Sequence, residues 1–336
     1  MSTAVSISVE ESSKTAETRR TAREMALGLG MDEGGAEQVA IVATEACTNL
    51  LKHATRGQIL LQTTTEESEA IPMLELLAVD QGPGMNNLDQ CLQDGFSTGG
   101  SPGQGLGAIQ RLSKQSDIYT LSGKGTAVLA RWWLSRNGYK PASTVRLGAV
   151  NVSKPGQDVC GDAWGSVRNN GNVVIIVADG LGHGTEAKMA SSEAVRQLYE
   201  NPELPPKALL TRIHQALRSS RGAAVAVASI DSTRGKLTYA GVGNISARIY
   251  AGSQSRQNLV SLNGTAGHQC ERIQEFSYPW PEDGLLILHT DGLSTGTGLE
   301  PYPGLAARDP ALIAAVLYRD FCRGRDDATV VVVKAA

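Results

Sequence analysis

The spacing of apolar and polar positions divides the first part of the chain into short strands and amphipathic helices. Val5, Ile7 and Val9 alternate with polar residues, which is typical of a strand with one buried face. Further on, apolar side chains recur every three to four positions, as on the buried face of a helix. The predicted elements are strands over 5–9, 58–64 and 73–79, and helices over 12–27, 35–53 and 106–113.

The second part centres on a continuous apolar run, Val173–Val177, that ends in Ala178, Asp179 and Gly180. Such a run predicts a strand buried on both faces. A second run of the same form, within 284–293, also ends in Asp-Gly. The other predicted elements are strands over 145–152, 159–164 and 330–333, short strands between 223 and 261, and helices over 185–199, 206–219 and 310–322.

Gly and Pro interrupt the pattern between Arg136 and Ser143, which predicts a linker. We therefore expect a domain over 1–137, a linker over 138–143 and a second domain over 144–336. The 336 residues suffice for two domains that each bury a core. The overall expectation is an α+β protein of two domains.

Composition narrows the classes of function. A hydrophobic content of 41% and a formal net charge of −3, with scattered basic residues, give no indication of nucleic-acid or membrane binding. The first 20 residues are polar and lack the apolar segment of a signal peptide. The 5 cysteines are far apart and odd in number, which does not indicate a disulfide framework or a zinc site. We expect a cytoplasmic protein.

Carboxylates stand at predicted strand ends throughout the second part, at Asp162, Asp179, Asp291, Asp326 and Asp327. Each by itself is also a common turn residue. Several hydrophobic strands that deliver carboxylates, with no histidine pair, favour Mg²⁺ or Mn²⁺ over zinc. Two such ions about 4 Å apart can hold a hydroxide for in-line attack on phosphorus.

The first part contains three ordered features. Glu45 and Asn49 share a face of the predicted helix, which by itself also suits a solvated surface. Asp80 is followed by Gly82 and Gly84 at the end of a predicted strand, and a glycine-rich run over 95–107 leads into a helix. Backbone N–H groups at such a helix start can cradle phosphate, although the run lacks the Walker pattern.

These features resemble the GHKL ATPase fold, and within it the serine kinases of the RsbT, RsbW and SpoIIAB type, over about residues 1–135. That fold is an α/β sandwich with a mixed sheet and helices on one face. The resemblance implies that ATP with Mg²⁺ binds this domain. The implied nucleotide-binding residues are Asn49, Asp80, Gly82, Gly84, Gly103, Gly105, Leu106, Gly107 and Thr126.

The resemblance also implies roles for individual residues. Asp80 would accept a hydrogen bond from the adenine amino group, Asn49 would hold Mg²⁺ against the phosphates, and Glu45 would orient or deprotonate a substrate serine. A sensor histidine kinase is disfavoured, because His53 lies inside the predicted helix rather than on a dimerisation helix. A domain that binds nucleotide and changes shape without transferring phosphate remains an alternative.

The acidic motifs of the second part occur in the order typical of the PPM serine/threonine phosphatases, in particular their SpoIIE and RsbX branch. The resemblance covers about 144–335 and implies a four-layer α-β-β-α sandwich with two Mn²⁺ or Mg²⁺ ions. By resemblance, Asp162 and Asp179 would face both metals, with Asp179 also catalytic. Gly180 would add its carbonyl oxygen, Asp291 and Asp326 would complete one metal, and Asp327 would act as a hydrogen-bond acceptor behind the ligands.

This sequence departs from the eukaryotic members at two points. Leu181 stands where they carry a histidine, and His183 follows two residues later, so the role of general acid is not transferred. Arg146 is the nearest counterpart of their phosphate-binding arginine, without a convincing match.

Together the two resemblances imply a bifunctional regulator of bacterial partner switching or of stressosome-type signalling. The second domain would dephosphorylate Ser or Thr of a STAS-domain protein, and the first would phosphorylate such a partner or gate the phosphatase. Stressosome or anti-sigma components are further expected partners. Two alternatives remain, a nucleotide-controlled binding switch with little turnover and a phosphatase whose first domain only dimerises.

Overall fold

The computed structural model describes residues 3–66, 71–88, 105–134, 144–169, 171–251 and 255–336. The chain forms two compact units. One comprises Pro141–Gly298 with Phe321–Ala336, and the other comprises Ser2–Lys140 with Leu299–Asp320. We call the first the C-terminal unit, the second the N-terminal unit, and Leu299–Asp320 the strap.

The N-terminal unit is built on a five-stranded sheet in the order β1-β2-β3-β5-β4. Its strands are β1 (Val5–Val9), β2 (Gly57–Glu66), β3 (Ile71–Val79), β4 (Gln115–Leu121) and β5 (Gly125–Trp133), and its helices before the strap are α1 (Ser13–Gly28), α2 (Glu33–His53) and α3 (Gly105–Leu112).

All described strand pairs of this sheet are antiparallel. The sequence predicted a mixed sheet, and this detail is wrong although the fold class is confirmed. The reason lies in the connections. A hairpin of two helices, α1 and α2, joins β1 to β2, so the chain re-enters the sheet in the opposite direction. β4 and β5 are joined by a turn at Gly123, where φ is +76°.

Helix α2 shows why the predicted helices form. Asp32 caps its start by accepting a hydrogen bond from the Gly35 N–H at 2.7 Å. Its apolar positions, Val39, Val42, Ala43, Ala46 and Leu50, are buried against the sheet. The predicted helix over 35–53 is therefore confirmed, and it begins at Glu33.

The strap covers the opposite face of the same sheet. Strand residues on successive positions point to opposite faces, and Ile118 and Ala130 pack with the three helices. Their neighbours Tyr119 and Arg131 instead contact the strap. The strap contains a 3₁₀ turn (Leu305–Ala307), and helix α6 (Pro310–Phe321) begins in it. α6 is buried at every position from Pro310 to Tyr318, as expected for a helix that is apolar all round.

The C-terminal unit contains two five-stranded sheets, in the orders β13-β10-β9-β8-β7 and β12-β11-β14-β15-β6. Its strands are β6 (Val145–Val152), β7 (Asp162–Asn169), β8 (Asn172–Gly180), β9 (Ala223–Asp231), β10 (Lys236–Val242), β11 (Ser246–Ala251), β12 (Ser255–Asn258), β13 (Phe276–Pro279), β14 (Leu285–His289) and β15 (Ala328–Ala335); its helices are α4 (Thr185–Glu200) and α5 (Pro206–Ala216), followed by a 3₁₀ turn (Leu217–Ser219).

Apolar residues of the two sheets meet in one core, exemplified by Ile175, Tyr239, Leu286 and Val331. The other face of the β8 sheet packs against α4 and α5. The α+β fold class with two domains is confirmed. The sequence predicted one domain over 144–336, whereas the strap groups with the N-terminal unit, because its polar side chains pair with the sheet of that unit.

Within the described ranges, none of the helices combines the length and apolarity that a membrane crossing requires.

Candidate functional site

The β7–β8 hairpin brings two of the predicted metal ligands together. Asp162 and Asp179 are directly opposite each other in the antiparallel ladder. Asp162 is 1% exposed, and its Oδ2 accepts hydrogen bonds from Thr290 Oγ1 at 2.7 Å and Thr329 Oγ1 at 2.9 Å. A buried carboxylate requires such donors or a cation. Asp162 is thereby fixed in one orientation.

The other sheet delivers Asp291 and Asp326 at the same edge. Asp291 follows β14, and its Oδ2 accepts a hydrogen bond from Asn244 Nδ2 at 2.7 Å. Asp326 Oδ1 accepts from the Asp327 N–H at 2.9 Å. Asp327 itself accepts from the backbone N–H groups of Lys154 at 2.7 Å and Gly161 at 2.8 Å. Asp327 thus ties the start of β15 to the start of β7.

In the pairs Asp179-Gly180 and Asp291-Gly292, the glycine is required because another backbone segment passes close to it. A Cβ on Gly180 would collide with the carbonyl oxygen of Ala187 at the start of α4, and one on Gly292 would collide with the carbonyl oxygen of Asp327. Gly182 and Gly184 have φ of +90° and +80°, which side chains disfavour. These glycines place the turn after β8 and the start of α4 beside the acidic residues.

The negative charges within this acidic cluster act on neighbouring carboxylates. Burial raises the pKa of Asp179, and the negative charges of Asp162, Asp291 and Asp326 raise it further. Burial also raises the pKa of Asp162, against the effect of the two threonine hydroxyls. The pKa of Asp291 is raised by burial and by Asp326. The cluster therefore carries more negative charge than its surroundings compensate.

The oxygen donors of this cluster are of the kind that suits hard divalent cations. Carboxylate and carbonyl oxygens are the ligands that Mg²⁺ and Mn²⁺ prefer. Among the described residues, no three His, Cys, Asp or Glu side chains stand in ready metal-binding geometry. The fit therefore rests on the convergence of acidic side chains that repel each other.

The predicted adenine-binding residue lies at the end of β3 in the N-terminal unit. Asp80 is 8% exposed, and its carboxylate accepts hydrogen bonds from the Gly82 N–H at 2.6 Å and the Thr126 N–H at 3.2 Å. Burial raises its pKa, while these bonds and the charge of Arg319 oppose the rise. Gly84 has φ of +71° and passes close to the carbonyl oxygen of Leu121. The turn 82–84 is thereby packed against the turn between β4 and β5.

Glu45 and Asn49 meet the glycine-rich segment where α3 begins. A Cβ on Gly105 would lie 3.0 Å from Asn49 Oδ1 and 3.1 Å from Glu45 Oε2. A side chain at this position would therefore press on the carboxylate of Glu45 and the amide of Asn49. Leu106 and Gly107 continue α3, and Gly107 is buried. Gly103 lies outside the described residues.

Two other candidates are placed by the structure. His183 is exposed in the turn between β8 and α4. Arg146 is opposite Lys334 in the β6–β15 ladder, whereas Thr329, which contacts Asp162, is opposite Asn151. Arg146 therefore stands at the end of β6 remote from the acidic cluster.

Sequence reasoning missed the neutral residues that orient the carboxylates. Thr290 and Thr329 bind Asp162, Asn244 binds Asp291, and Asn151 Nδ2 donates to Thr329 Oγ1 at 2.7 Å. Thr290 and Thr329 are members of the acidic motifs Thr290-Asp291-Gly292 and Asp326-Asp327-x-Thr329, and this position was the available signal. Asn151 and Asn244 carry no such signal, because the sheet packing alone brings them there.

Comparison with known proteins assigns a family to each half. Residues 169–336 match the family model of stage II sporulation protein E (SpoIIE), and residues 9–132 match that of the histidine kinase-like ATPase domain. The chain is 27% identical over 144 residues to phosphoserine phosphatase RsbX of Bacillus subtilis (strain 168), which covers 43% of this chain and 72% of RsbX. It is 30% identical over 116 residues to serine/threonine-protein kinase RsbT of the same organism, which covers 34% of this chain and 86% of RsbT.

Two solved structures share a fold with more than half of this chain. A chain from a study of the bacterial stressosome, a modular system adapted to control secondary messenger signalling, matches with a TM-score of 0.53 and 25% identity over 56% of this chain and 99% of that one. RsbX in complex with magnesium matches with a TM-score of 0.52 and 20% identity over 59% of this chain and 98% of RsbX.

Proposed function

This chain belongs to the SpoIIE family and joins a PPM-type phosphatase domain to a histidine kinase-like ATPase domain, and we propose that it removes phosphate from Ser or Thr of a STAS-domain partner. It is a partner-switching regulator, and its ATPase domain binds ATP with Mg²⁺ and opposes or gates the phosphatase. The observation that carries the proposal is the convergence of four acidic residues: Asp162 lies opposite Asp179 in the β7–β8 ladder, and burial and the charges of Asp162, Asp291 and Asp326 raise the pKa of Asp179.

Asp162, Asp179, Asp291 and Asp326 would hold two Mn²⁺ or Mg²⁺ ions together with the carbonyl oxygen of Gly180. When bound, such ions supply a hydroxide at neutral pH and neutralise the phosphate charge. Thr290 and Thr329 keep Asp162 oriented, and Asn244 does the same for Asp291. Asp327 holds the segment just before β15, which contains Asp326, against Gly161. This division between ligands and orienting residues is what a metal-dependent hydrolase requires.

In the N-terminal unit, Asp80 would accept a hydrogen bond from the adenine amino group. Asn49 would bind the Mg²⁺ that accompanies the phosphates, and Glu45 would orient or deprotonate the hydroxyl of a substrate serine. The contact of Glu45 and Asn49 with Gly105 supports this assignment, because it places both beside the start of α3. The nearby N–H groups at that helix start suit phosphate.

The relatives support a phosphoprotein partner. RsbX is a phosphoserine phosphatase and RsbT a serine/threonine-protein kinase, and a structural relative comes from the stressosome. We therefore propose a phosphorylated STAS-domain protein as the substrate, with stressosome or anti-sigma components as further partners.

The test is dephosphorylation of a phosphoserine STAS protein by the full chain with Mn²⁺, followed by intact mass. Asp179→Asn and Asp291→Asn should lower kcat by at least about 100-fold, because each removes a proposed ligand. Asp283→Asn, an exposed turn substitution in the same unit, should retain wild-type activity.

The same assay separates the alternatives. Absence of metal-dependent turnover, with partner binding controlled by nucleotide, would identify a binding switch. Turnover without any ATP binding would leave the phosphatase and exclude a nucleotide role for the N-terminal unit. The third outcome is a partner that loses phosphate in the presence of Mn²⁺ and gains phosphate when ATP is added. If Glu45→Gln abolishes only the gain, the chain has both activities.

A further inference from the structure

The strap lies in the sequence between two proposed metal ligands, Asp291 and Asp326, yet it packs with the N-terminal unit. Along the chain, β14 and Asp291 precede it, and Asp326 and β15 follow it. A segment of the SpoIIE-type half is thus part of the unit that carries the proposed nucleotide site.

The N-terminal end of α6 is held by buried charged side chains. Arg131 Nη1 and Nη2 donate to Asp309 Oδ2 and Oδ1 at 2.6 and 2.7 Å, and Arg131 Nε donates to Glu75 Oε2 at 2.6 Å. Asp309 also accepts from the Ala311 N–H at 2.9 Å, so the same carboxylate caps the start of α6. Bidentate pairing of this kind sets the position of the helix start on the sheet.

The other end of α6 reaches the backbone beneath the proposed adenine site. Arg319 Nη1 donates to the carbonyl oxygen of Asp80 at 3.0 Å and to that of Thr126 at 3.4 Å. Its side chain is 3% exposed. Asp320 holds the same guanidinium through Nε at 2.8 Å and Nη2 at 2.6 Å. Gln81 Nε2 in turn donates to the carbonyl oxygen of Arg319 at 3.2 Å.

These contacts converge on the residues that bind one another at the proposed site. The Asp80 N–H donates to the carbonyl oxygen of Thr126 at 3.0 Å, and the Thr126 N–H donates to the Asp80 carboxylate. Arg319 binds both carbonyl oxygens of this pair. A buried guanidinium that bridges two strand ends fixes their separation, because its donors have a rigid planar geometry.

We propose that Arg319 is a positioning residue of the nucleotide site, supplied by the SpoIIE-type half, and that adenine-nucleotide binding and the docking of the strap reinforce each other. The inference rests on the proposed nucleotide binding and deepens it. Linkage is reciprocal: a docked strap favours the Asp80 geometry that binds nucleotide, and bound nucleotide favours the docked strap. The strap continues along the chain into the segments that contain Asp291 and Asp326. A strap that responds to nucleotide is therefore connected through the backbone to the proposed metal ligands.

Nucleotide affinity of the full-length protein tests the positioning role. ATP is titrated at fixed Mg²⁺ into wild type, Arg319→Met, Arg319→Lys and Arg308→Met. Arg319→Met should weaken binding about tenfold, a typical size for coupling between sites. Arg319→Lys should recover part of the loss, because it keeps a cationic hydrogen-bond donor without the planar guanidinium. Arg308→Met is the matched control, since Arg308 is a strap arginine that pairs with Asp117 instead.

Hydrogen exchange on the wild type gives a readout that needs no variant. Addition of ATP at fixed Mg²⁺ should slow exchange of amides in 310–320 by several-fold, and exchange of β13, in the other unit, should stay the same. Unchanged exchange in 310–320 with ATP bound would overturn the inference, as would wild-type affinity in Arg319→Met. If the wild type binds no ATP, the nucleotide part of the proposed function fails together with the inference. If the wild type binds ATP but its exchange in 310–320 is unchanged, or if Arg319→Met keeps wild-type affinity, only the inference fails.

Discussion

At the scale of single residues, the acidic cluster places similar carboxylates in different surroundings. Asp327 receives two backbone N–H groups and Asp162 two hydroxyls. For Asp179, burial and four neighbouring carboxylates all raise the pKa. Asp179 is therefore the residue at which an added cation relieves the most repulsion.

We predict that metal-free protein loses stability as pH rises. The pKa values of Asp162 and Asp179 are raised in the folded state, so the folded state holds protons that the unfolded chain has released. This contribution is present below the unfolded pKa of about 4 and is lost as pH rises through the folded values. Thermal unfolding in EDTA should show a falling Tm between pH 5 and 8.

Asp179→Asn removes one of the repelling charges. It should raise the stability of metal-free protein at pH 8 by about 1–3 kcal/mol and weaken the dependence on pH. Asp283→Asn should leave both unchanged. A pH slope that is the same in Asp179→Asn and wild type would contradict this account.

Thr329 gives a second prediction at this scale. Thr329→Val keeps the shape of the side chain and removes the hydroxyl that binds Asp162. Because partners of metal ligands typically contribute 10–100-fold to affinity or activity, Mn²⁺ binding should weaken by about tenfold. Calorimetric titration measures this. Thr211→Val on α5, where the hydroxyl binds only the carbonyl oxygen of Lys207, should bind Mn²⁺ as the wild type does.

At the scale of elements, the strand ends determine the site. β7 and β8 place Asp162 opposite Asp179 by their register, and β14 and β15 run side by side up to Thr290 and Thr329. Since a slip of one residue would turn every side chain to the other face, the apolar core between the sheets also fixes the carboxylates.

We predict that Gly292→Ala disrupts this arrangement. A Cβ at this position would collide with the carbonyl oxygen of Asp327, so the segment after β14, which contains Asp291, must move away from the segment before β15, which contains Asp326. The expected result is a loss of stability of about 2–4 kcal/mol and of Mn²⁺-dependent activity, measured by thermal unfolding and phosphatase assay. Gly296→Ala is the control, because nothing lies within 4 Å of its Cβ, and an equal effect of both substitutions would argue against the explanation.

At the scale of the whole molecule, the division of the chain into units does not follow its order. The strap belongs to the N-terminal unit although its neighbours in sequence belong to the C-terminal one. Buried charges hold the strap on the sheet of the N-terminal unit. Arg131 of the sheet pairs with Glu75 of the sheet and with Asp309 of the strap, and the three residues are 6%, 2% and 5% exposed. Burial of three charges is tolerated only because each has a partner.

Arg131→Met should therefore destabilise the N-terminal unit by about 3–5 kcal/mol, because it leaves Glu75 and Asp309 buried without their cation. Thermal unfolding of the full chain measures the change. Arg19→Met provides the contrast: Arg19 pairs with Glu37 at the surface, where both side chains are more than 40% exposed, and the expected cost is below about 1 kcal/mol. A small effect of Arg131→Met would mean that the strap is not held by this network.

The sequence by itself determined most elements and both families of motif. Apolar runs such as Val173–Val177 and helical spacing such as that of Val39, Val42 and Ala46 depend on local periodicity, and the corresponding strand β8 and helix α2 are confirmed. The predicted helix over 206–219 ends earlier, at Ala216, where a 3₁₀ turn takes over. The boundary differs because helix ends depend on caps and packing more than on periodicity.

Tertiary structure alone decided three things. It brought Asn151 and Asn244 to the acidic cluster, because they come from loops and strands distant in sequence from the motifs. It oriented all described neighbouring strands of the N-terminal sheet antiparallel, in the case of β1 and β2 through the hairpin of α1 and α2 that joins them. It also placed the strap on the N-terminal sheet, because the matching of Arg131 with Asp309 and of Arg319 with the Asp80 carbonyl is a property of surfaces that no local pattern encodes.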